Sequence, residues 1–254
     1  MVKKSKNKFG LITDFVNAHF DRVRINPISG CSFHCAFCSM NEAKYKRNSI
    51  EELSCAFEEA IKDKRITHVL ISGGTPKKED LVYLTEIYEY FCKTYPNFDF
   101  DVMMTPRGFD SLVDESQYEK YLIHLKNIGV KGLSVNIEIF NDDMCKKYCP
   151  EKFAINKQRY LKFLKLASKI FGKENVRSGL IVGLESKEDT LMAVEEICKC
   201  QCMPMLSPYY KYNDIGKSPS TDYLLDVLKE SKQICKKYGV ELGPRCAKCK
   251  HNTL

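Results

Sequence analysis

Three cysteines lie within eight residues of one another in the stretch GCSFHCAFCSM. Cys31, Cys35 and Cys38 are separated by three and then by two intervening residues. Thiolates are soft ligands that suit zinc, copper(I) and iron–sulfur clusters. Packing alone does not explain such close spacing in a loop that also holds glycine and serine. The stretch therefore predicts a metal centre.

The number of thiolates bears on the kind of metal centre. A structural zinc ion takes four protein ligands, so His34 would have to fold back and complete the set. A [4Fe–4S] cluster normally takes four cysteines, so three would leave one iron open to an outside molecule. The spacing favours a cluster with an open iron, and a zinc site that includes His34 is the alternative.

A glycine-containing motif, ISGGTP, ends the second predicted strand. Gly73 and Gly74 allow the backbone to approach a ligand closely and expose peptide groups. Thr75 and Pro76 complete the turn. An ordinary connection between a strand and a helix could have the same sequence, so the motif indicates a ligand site only in combination with others.

Two further motifs lie near the ends of later predicted strands, NIEIF at 136–140 and SGLIVGLES at 178–186. Side chains alternate along a strand, so two polar residues of NIEIF are expected to point the same way, into the interior of a barrel. The candidate ligand-binding residues of the two motifs are Asn136, Glu138, Ser178, Ile181 and Gly183. A solvated strand end is the plain alternative for each residue taken singly.

These four motifs, in this order, resemble those of the radical S-adenosylmethionine (SAM) superfamily over about residues 23–210. The family's CxxxCxxC loop has an aromatic residue before its last cysteine, which here is Phe37. The resemblance implies a [4Fe–4S] cluster on Cys31, Cys35 and Cys38, with SAM on the fourth iron. It also implies that the GGTP turn binds the SAM amino group, and that the later motifs contact its ribose, carboxylate and adenine.

Among known branches, the pattern is most similar to biotin synthase and lipoyl synthase, which implies sulfur insertion into a lipoyl- or biotin-like precursor as one alternative reaction. No cysteine precedes Cys31, so the additional N-terminal cluster of lipoyl synthase has no counterpart. The more general expectation is a radical SAM enzyme that abstracts hydrogen from a small-molecule, carrier-bound or peptide substrate. A flavodoxin or ferredoxin would supply the electron.

A second group of cysteines lies toward the end of the chain. Cys246 and Cys249 form a CxxC pair, and Cys202 follows Cys198 and Cys200 just before the sixth predicted strand. Cys202, Cys246 and Cys249 are candidate ligands of an auxiliary iron–sulfur cluster. A zinc site and a loop of reduced thiols are the alternatives.

Six short apolar segments alternate with amphipathic helical segments, which predicts a parallel sheet covered by helices. We expect a partial (βα)6 TIM-like barrel at 21–238, with an irregular, cysteine-containing C-terminal extension at 239–254 and a basic tail and lead-in segment at 1–20. A doubly wound open sheet is the alternative. Both folds place ligands at the carboxyl ends of the strands. The predicted strands are 23–28, 68–72, 98–104, 132–140, 176–184 and 203–210.

Composition limits the classes of partner and compartment. The formal charge is +7, but the first eight residues carry +4 and residues 229–254 carry +5, so the remainder is −2. A folded basic face of the kind that binds nucleic acid is therefore not indicated. Thirteen cysteines, no apolar leader and no run of about 18 apolar residues predict a cytoplasmic protein without a membrane span. A non-enzymatic zinc-binding interaction module is the alternative to an enzyme.

Overall fold

The computed structural model describes residues 6–19, 21–106, 115–211, 215–244 and 253–254. A curved, mostly parallel sheet organises these residues. Its strands and the short strands that flank it are β1 (Lys6–Asn7), β2 (Gly10–Leu11), β3 (Val16–His19), β4 (Arg22–Ile25), β5 (Ile28–Ser29), β6 (Lys46–Arg47), β7 (His68–Ile71), β8 (Asp99–Met103), β9 (Val130–Ser134), β10 (Val176–Val182) and β11 (Met203–Pro208).

The central sheet has the order β11-β10-β9-β8-β7-β4-β3, so its parallel strands follow one another in the order of the chain. All neighbours are parallel except β3 and β4, which pair antiparallel at one edge. Sequential parallel strands with a helix after each curl in one direction, and here they form a half-barrel. All six predicted strands are confirmed, and the partial TIM-like barrel is the observed architecture.

The helices of the described residues are α1 (Ile12–Phe15), α2 (Ile50–Ala60), α3 (Leu81–Thr94), α4 (Glu115–Asn127), α5 (Asp142–Tyr148), α6 (Pro150–Ile155), α7 (Lys157–Phe171), α8 (Lys187–Lys199) and α9 (Thr221–Tyr238). Local sequence explains their ends. Ser49 and Glu52 form the predicted capping box at the start of α2. Gly239 follows α9 with a φ of 62°, the left-handed conformation that glycine adopts without strain.

The two faces of the sheet differ in chemistry. Val23, Ile25 and Val102 point toward the helices and are fully buried. The alternate side chains, such as Arg24 and Asp101, point to the concave face and are only half-buried. The concave face is thus a polar cleft rather than a second packed core, and the carboxyl ends of the strands open onto it.

Three segments differ from the sequence-based expectation. Residues 6–19, expected as a tail and lead-in, form β1, β2, α1 and the edge strand β3, with Ile12 and Phe15 buried. The fourth predicted strand is shorter than expected, because β9 ends at Ser134 and Glu138 then adopts a φ of 71°. Two short helices, α5 and α6, had no prediction.

The chain after Gly239 returns to the free edge of the sheet. Gly243 bridges to Met205 of β11, and the Leu254 N–H donates to the carbonyl oxygen of Leu206 at 2.8 Å. The candidate ligands Cys246 and Cys249 lie outside the described residues. The boundary expected near residue 239 stays a prediction.

Candidate active site at the carboxyl ends of the strands

The cysteine loop lies immediately beyond β4 and β5. Backbone N–H groups surround the first sulfur: Cys31 Sγ accepts from Thr75 at 3.0 Å and from Phe33 at 3.4 Å. Within the loop, the Cys38 N–H donates to the carbonyl oxygen of Cys35 at 3.1 Å. In both of its hydrogen bonds the Cys31 sulfur is the acceptor, an arrangement that is compatible with a metal-bound sulfur.

The GGTP turn that follows β7 packs directly on the cysteine loop. The Ser32 N–H donates to the Thr75 carbonyl oxygen at 3.0 Å, and Ser32 Oγ donates to the Pro76 carbonyl oxygen at 2.9 Å. A Cβ on Gly74 would collide with the Gly30 carbonyl oxygen, and one on Gly73 would lie 2.8 Å from the Ile28 carbonyl oxygen. The two glycines therefore serve first to let two backbone segments meet, in addition to any approach to a ligand.

The other two thiols are more enclosed than the first. Cys35 is buried, and burial raises the pKa of its thiol to about 12. Burial also raises the pKa of Cys38, which is half-buried. Phe37, next to Cys38, packs against the hydrophobic core. A metal must displace both thiol protons, so metal binding and proton release are coupled here.

His34 is held by a carboxylate. Its Nδ1 lies 2.7 Å from Glu151 Oε1, and its backbone N–H donates to the same oxygen at 3.1 Å. The imidazole side chain is 72% exposed. This arrangement gives His34 a partner on α6 and leaves the three cysteines as the soft donors of the loop.

Beyond β9, Asn136 reaches across to β10. Its Oδ1 accepts from the Gly179 N–H at 3.0 Å and from Ser134 Oγ at 2.9 Å. The Ile137 N–H donates to Ser178 Oγ at 3.1 Å. Ser178 is fully buried, so the structure gives it the role of joining the two strand ends. Among the described residues, the hydrogen-bond partner of the Asn136 amide nitrogen is Met103 Sδ at 4.0 Å, so this nitrogen remains able to donate to a ligand.

Glu138 forms an ion pair with a lysine that the sequence analysis did not single out. Lys152 Nζ lies 3.5 Å from Glu138 Oε1 and donates to the Asn136 carbonyl oxygen at 2.6 Å. Burial lowers the pKa of Lys152, but Glu138 and the neighbouring groups outweigh it, so the pKa is raised overall. The lysine stays charged and fixes the loop after β9.

The fourth motif, at 178–186, closes the site from β10. The Ile181 N–H donates to the Glu138 carbonyl oxygen at 2.8 Å, and Ile181 itself is half-buried. Gly183 has a φ of 108° and lies against Pro219, so a side chain there would be both strained and crowded. Glu185 Oε2 accepts from the backbone N–H groups of Phe140 and Asn141, each at 2.8 Å. This glutamate therefore supports the neighbouring loop.

A buried aspartate ties the segment after the cysteine loop to the GGTP turn. Asp80 is 1% exposed and accepts hydrogen bonds from Tyr45 and Arg47, as well as from the Lys77 N–H at 3.1 Å. Nothing in the sequence distinguished Asp80 from surface acids, since its neighbours Lys77, Lys78 and Glu79 are all polar. Only the fold brings Tyr45 and Arg47 to it.

The donor set fits a [4Fe–4S] cluster with an open iron. The three cysteines share one loop, the loop is braced by a second turn, and Cys31 has backbone donors on its sulfur. Within the described residues, no three His, Cys, Asp or Glu side chains converge on a position for a single metal ion. A cluster makes a different demand, because each thiolate binds its own iron.

The candidate auxiliary ligand Cys202 lies at the opposite end of the sheet, just before β11. It is fully buried, and its thiol donates toward the carbonyl oxygens of Leu164 and Cys200 at 3.3 and 3.5 Å. Cys198 is also fully buried, with its sulfur 3.7 Å from that of Cys235. These contacts are those of packing thiols, and no finding shows a second cluster.

Comparison with known proteins identifies the family of this chain. The profile of the Radical SAM superfamily matches residues 25–197, which is well over half of the chain. The match covers the cysteine loop, the GGTP turn and both later motifs. The chain belongs to the radical SAM superfamily, which implies a [4Fe–4S] cluster and SAM as cofactors.

One curated relative is 5-amino-6-(D-ribitylamino)uracil--L-tyrosine 4-hydroxyphenyl transferase 2 of Methanosarcina mazei. It is 26% identical over 174 residues, which are 66% of this chain and 44% of the relative. The chain thus spans less than half of the curated relative that it matches.

Among solved structures, a radical SAM methyltransferase from Sphaerobacter thermophilus superposes with a TM-score of 0.64 at 15% identity. The match covers 94% of this chain and 71% of the other. SuiB from Streptococcus suis, bound to its precursor peptide SuiA, superposes with a TM-score of 0.64 at 15% identity, over 92% of this chain and 50% of the other. At such identities the likeness establishes the fold alone.

These comparisons do not support the expected similarity to the biotin synthase and lipoyl synthase branch, because the relatives named above are of other kinds. That expectation rested on the motifs at 136–140 and 178–186. In the structure these motifs form hydrogen bonds between the ends of β9 and β10, a contact that any barrel of this kind requires. Among the described residues, no helix is long and apolar enough to cross a membrane.

Proposed function

We propose that this chain is an enzyme that reductively cleaves SAM and uses the resulting radical to abstract a hydrogen atom from a substrate. Cys31, Cys35 and Cys38 would hold a [4Fe–4S] cluster, and the SAM amino and carboxylate groups would occupy its fourth iron. With SAM bound, such a cluster supplies one electron, and cleavage of a carbon–sulfur bond gives methionine and a 5′-deoxyadenosyl radical.

The observation that carries this proposal is the pairing of the cysteine loop with the GGTP turn. The turn donates the Thr75 N–H to Cys31 Sγ and receives the Ser32 N–H in return. The cysteine loop therefore supplies the thiol, and the GGTP turn donates a hydrogen bond to it. The two motifs are separate in the sequence. A cysteine loop that only packed would not need backbone donors on its sulfur.

The remaining motif residues would form the SAM cradle. The GGTP turn, Gly73 to Pro76, lies beside the cluster loop and would receive the amino group. Asn136 would donate from its amide to the ribose or carboxylate, and Glu138, held by Lys152, would accept from the ribose hydroxyls. Ile181 and Gly183 would border the adenine, with Ser178 fixing the two strand ends.

The substrate is proposed at the level of class, as a small molecule, a carrier-bound group or a peptide. The M. mazei relative is named for a reaction with L-tyrosine and a ribitylaminouracil, and SuiB was solved with a precursor peptide. A flavodoxin or ferredoxin is the proposed electron donor. Sulfur insertion is not carried forward, because the comparisons do not support that branch.

The test is anaerobic reconstitution with iron and sulfide, followed by iron analysis, EPR with and without SAM, and chromatography for 5′-deoxyadenosine after reduction by dithionite. The wild-type chain is expected to bind ~4 irons in the first cluster and to show an EPR signal that SAM alters. A Cys31→Ala/Cys35→Ala/Cys38→Ala variant is expected to lose that cluster and to form no 5′-deoxyadenosine.

Zinc analysis of the same samples addresses the alternative. A colourless protein that binds zinc through the three cysteines, takes no iron and leaves SAM intact would refute the proposed enzyme. It would support an interaction module instead.

A further inference from the structure

The concave face of the sheet carries three buried polar atoms that have no hydrogen-bond partner. They are Arg24 Nε on β4, Asn26 Oδ1 just after β4, and Thr105 Oγ1 just after β8. Buried polar atoms in folded proteins are nearly always paired, and exceptions call for a specific explanation. These three unpaired atoms lie on one face of one sheet, beside the cysteine loop. Their position indicates that they bind a ligand.

Alternation along β4 places these side chains. Val23 and Ile25 are fully buried against the helices, so Arg24 points the other way, into the cleft. Asn26 continues the same inward row. Thr105 follows Met104, which is buried, and so faces inward from the strand two places along the sheet.

The charge on Arg24 has no acidic counterpart among the described residues. The groups that act on it are Arg22, which repels it, and Cys38 of the cysteine loop. Burial is the main cause that lowers the pKa of its guanidinium. A half-buried cation without an acidic partner is costly, and the chain retains this one next to the thiols that would hold the cluster.

Arg177 shows what an ordinary inward arginine does in this protein. It lies on β10, also facing the cleft, and its Nη2 is 2.7 Å from Asp101 Oδ2. Both side chains of that pair are about four-fifths buried, at 19% and 25% exposure. The fold therefore pairs Arg177 with an acid, whereas Arg24 has no acidic partner among the described residues.

We propose that Arg24, Asn26 and Thr105 form the substrate subsite of this enzyme and that the substrate carries an anionic group, a carboxylate or a phosphate, which binds Arg24. Asn26 Oδ1 accepts from a donor next to that anion, and Thr105 Oγ1 bonds a further polar group. This assignment of a role in substrate binding rests on the proposed function, whereas the anion site rests on the geometry alone.

The test measures thermal stability of the full chain with two anion probes, inorganic phosphate and acetate, each against sodium chloride at equal ionic strength. Titrations are made on the reconstituted protein with SAM and on the protein as purified. Arg24→Met removes the open guanidinium, and Arg177→Met is the matched control, since it removes a paired inward arginine from the same cleft.

We expect the melting temperature of the wild type to rise by about 2–4 °C with one of the two probes, and that of Arg24→Met to stay unchanged. A larger response to phosphate identifies a phosphorylated substrate, and a larger response to acetate identifies a carboxylate. In chloride alone, Arg24→Met should be at least as stable as wild type, because an unpaired charge has been removed. Arg177→Met should be less stable and should keep its anion response.

Three results would overturn the assignment: a wild type that responds to neither probe, an Arg24→Met variant that responds as the wild type does, or a response that disappears once cluster and SAM are bound. The last result would assign the charge of Arg24 to the cofactors. The proposed function is judged separately, by iron content and SAM cleavage, so that an anion response without either would leave the site standing and refute the enzyme.

Discussion

The half-barrel has cysteines at both ends, and the two groups differ in how their sulfur atoms are bonded. At the carboxyl ends of the strands, Cys31 Sγ accepts backbone N–H groups from Thr75 and Phe33. At the opposite end, Cys200 and Cys202 donate their thiol protons toward backbone carbonyl oxygens at 3.4 and 3.3 Å. Burial raises the pKa of both Cys200 and Cys202, so these donating sulfurs are stable as neutral thiols.

Burial separates the two groups of cysteines only in part. Cys198, Cys200, Cys202 and Cys235 are each at most 7% exposed and lie in the core near α7, α8 and α9. In the cysteine loop, Cys31 and Cys38 are half-buried and Cys35 is 8% exposed. The direction of the hydrogen bonds at each sulfur therefore separates the two groups of cysteines more clearly than burial does.

Buried charge also separates the two ends. In the part of the chain that the structure describes, the charged side chains classed as buried are Asp80, Lys152 and Glu185. Each follows the carboxyl end of a strand, after β7, β9 and β10 respectively. These three buried charges each have hydrogen-bond or ion-pair partners, which offset the cost of burying them.

The largest expected difference concerns iron. A Cys198→Ala/Cys200→Ala/Cys202→Ala variant should keep all of the iron that the wild type binds, whereas the corresponding triple variant at the cysteine loop loses the first cluster. The opposite-end variant should instead lose about 1–3 kcal/mol of stability, measured by urea unfolding, because it empties packed positions. Loss of ~4 irons from the opposite-end variant would contradict this difference between the two ends and would show that this group of cysteines holds a cluster.

Removal of one member of the buried ion pair is expected to have the next largest effect. Lys152→Met leaves the Glu138 carboxylate without its cation and should lower the free energy of unfolding by about 3–5 kcal/mol. Adding Glu138→Gln should restore part of that loss, since the unpaired charge is then gone. Equal urea midpoints for wild type and Lys152→Met would show that the pair contributes nothing.

The buried carboxyl group of Glu185 should make the stability of the protein depend on pH. Burial raises the pKa of its carboxyl to about 7, from an ordinary value of 4.5. Its contribution to stability is therefore complete below about pH 4.5 and is lost as pH rises through 7, a change of about 3 kcal/mol. Unfolding of the wild type and Glu185→Gln, compared at pH 5 and pH 8, isolates this contribution; parallel pH profiles would contradict it.

The smallest effect is expected from the contact between the two loops. Gly74→Ala places a methyl group against the Gly30 carbonyl oxygen and should cost about 1–3 kcal/mol, together with weaker iron binding. Gly216→Ala is the matched control, because its nearest neighbour is Leu184 Cδ2 at 3.5 Å. If both variants keep full stability and iron, the close approach of the loops is not required.

Local sequence was sufficient for most of the scaffold. The six parallel strands, the capping box at Ser49 and the end of α9 at Gly239 depend on short-range patterns and were predicted. The strand before Glu138 was predicted too long, because alternation of polar and apolar residues continues through a turn that the backbone makes there. Residues 6–19 formed an edge strand through pairing with β4, a contact that no local pattern reveals.

The sequence by itself determined the chemical class of the site, because a CxxxCxxC loop and three strand-end motifs are set by spacing along the chain. Only the tertiary structure decided which charges are neutralised. Asp80 meets Arg47, Lys152 meets Glu138 and Arg177 meets Asp101 across 14 to 76 residues of chain, while Arg24 meets no acid among the described residues. Pairing of buried charges depends on distance in space, and spacing along the chain does not encode that distance.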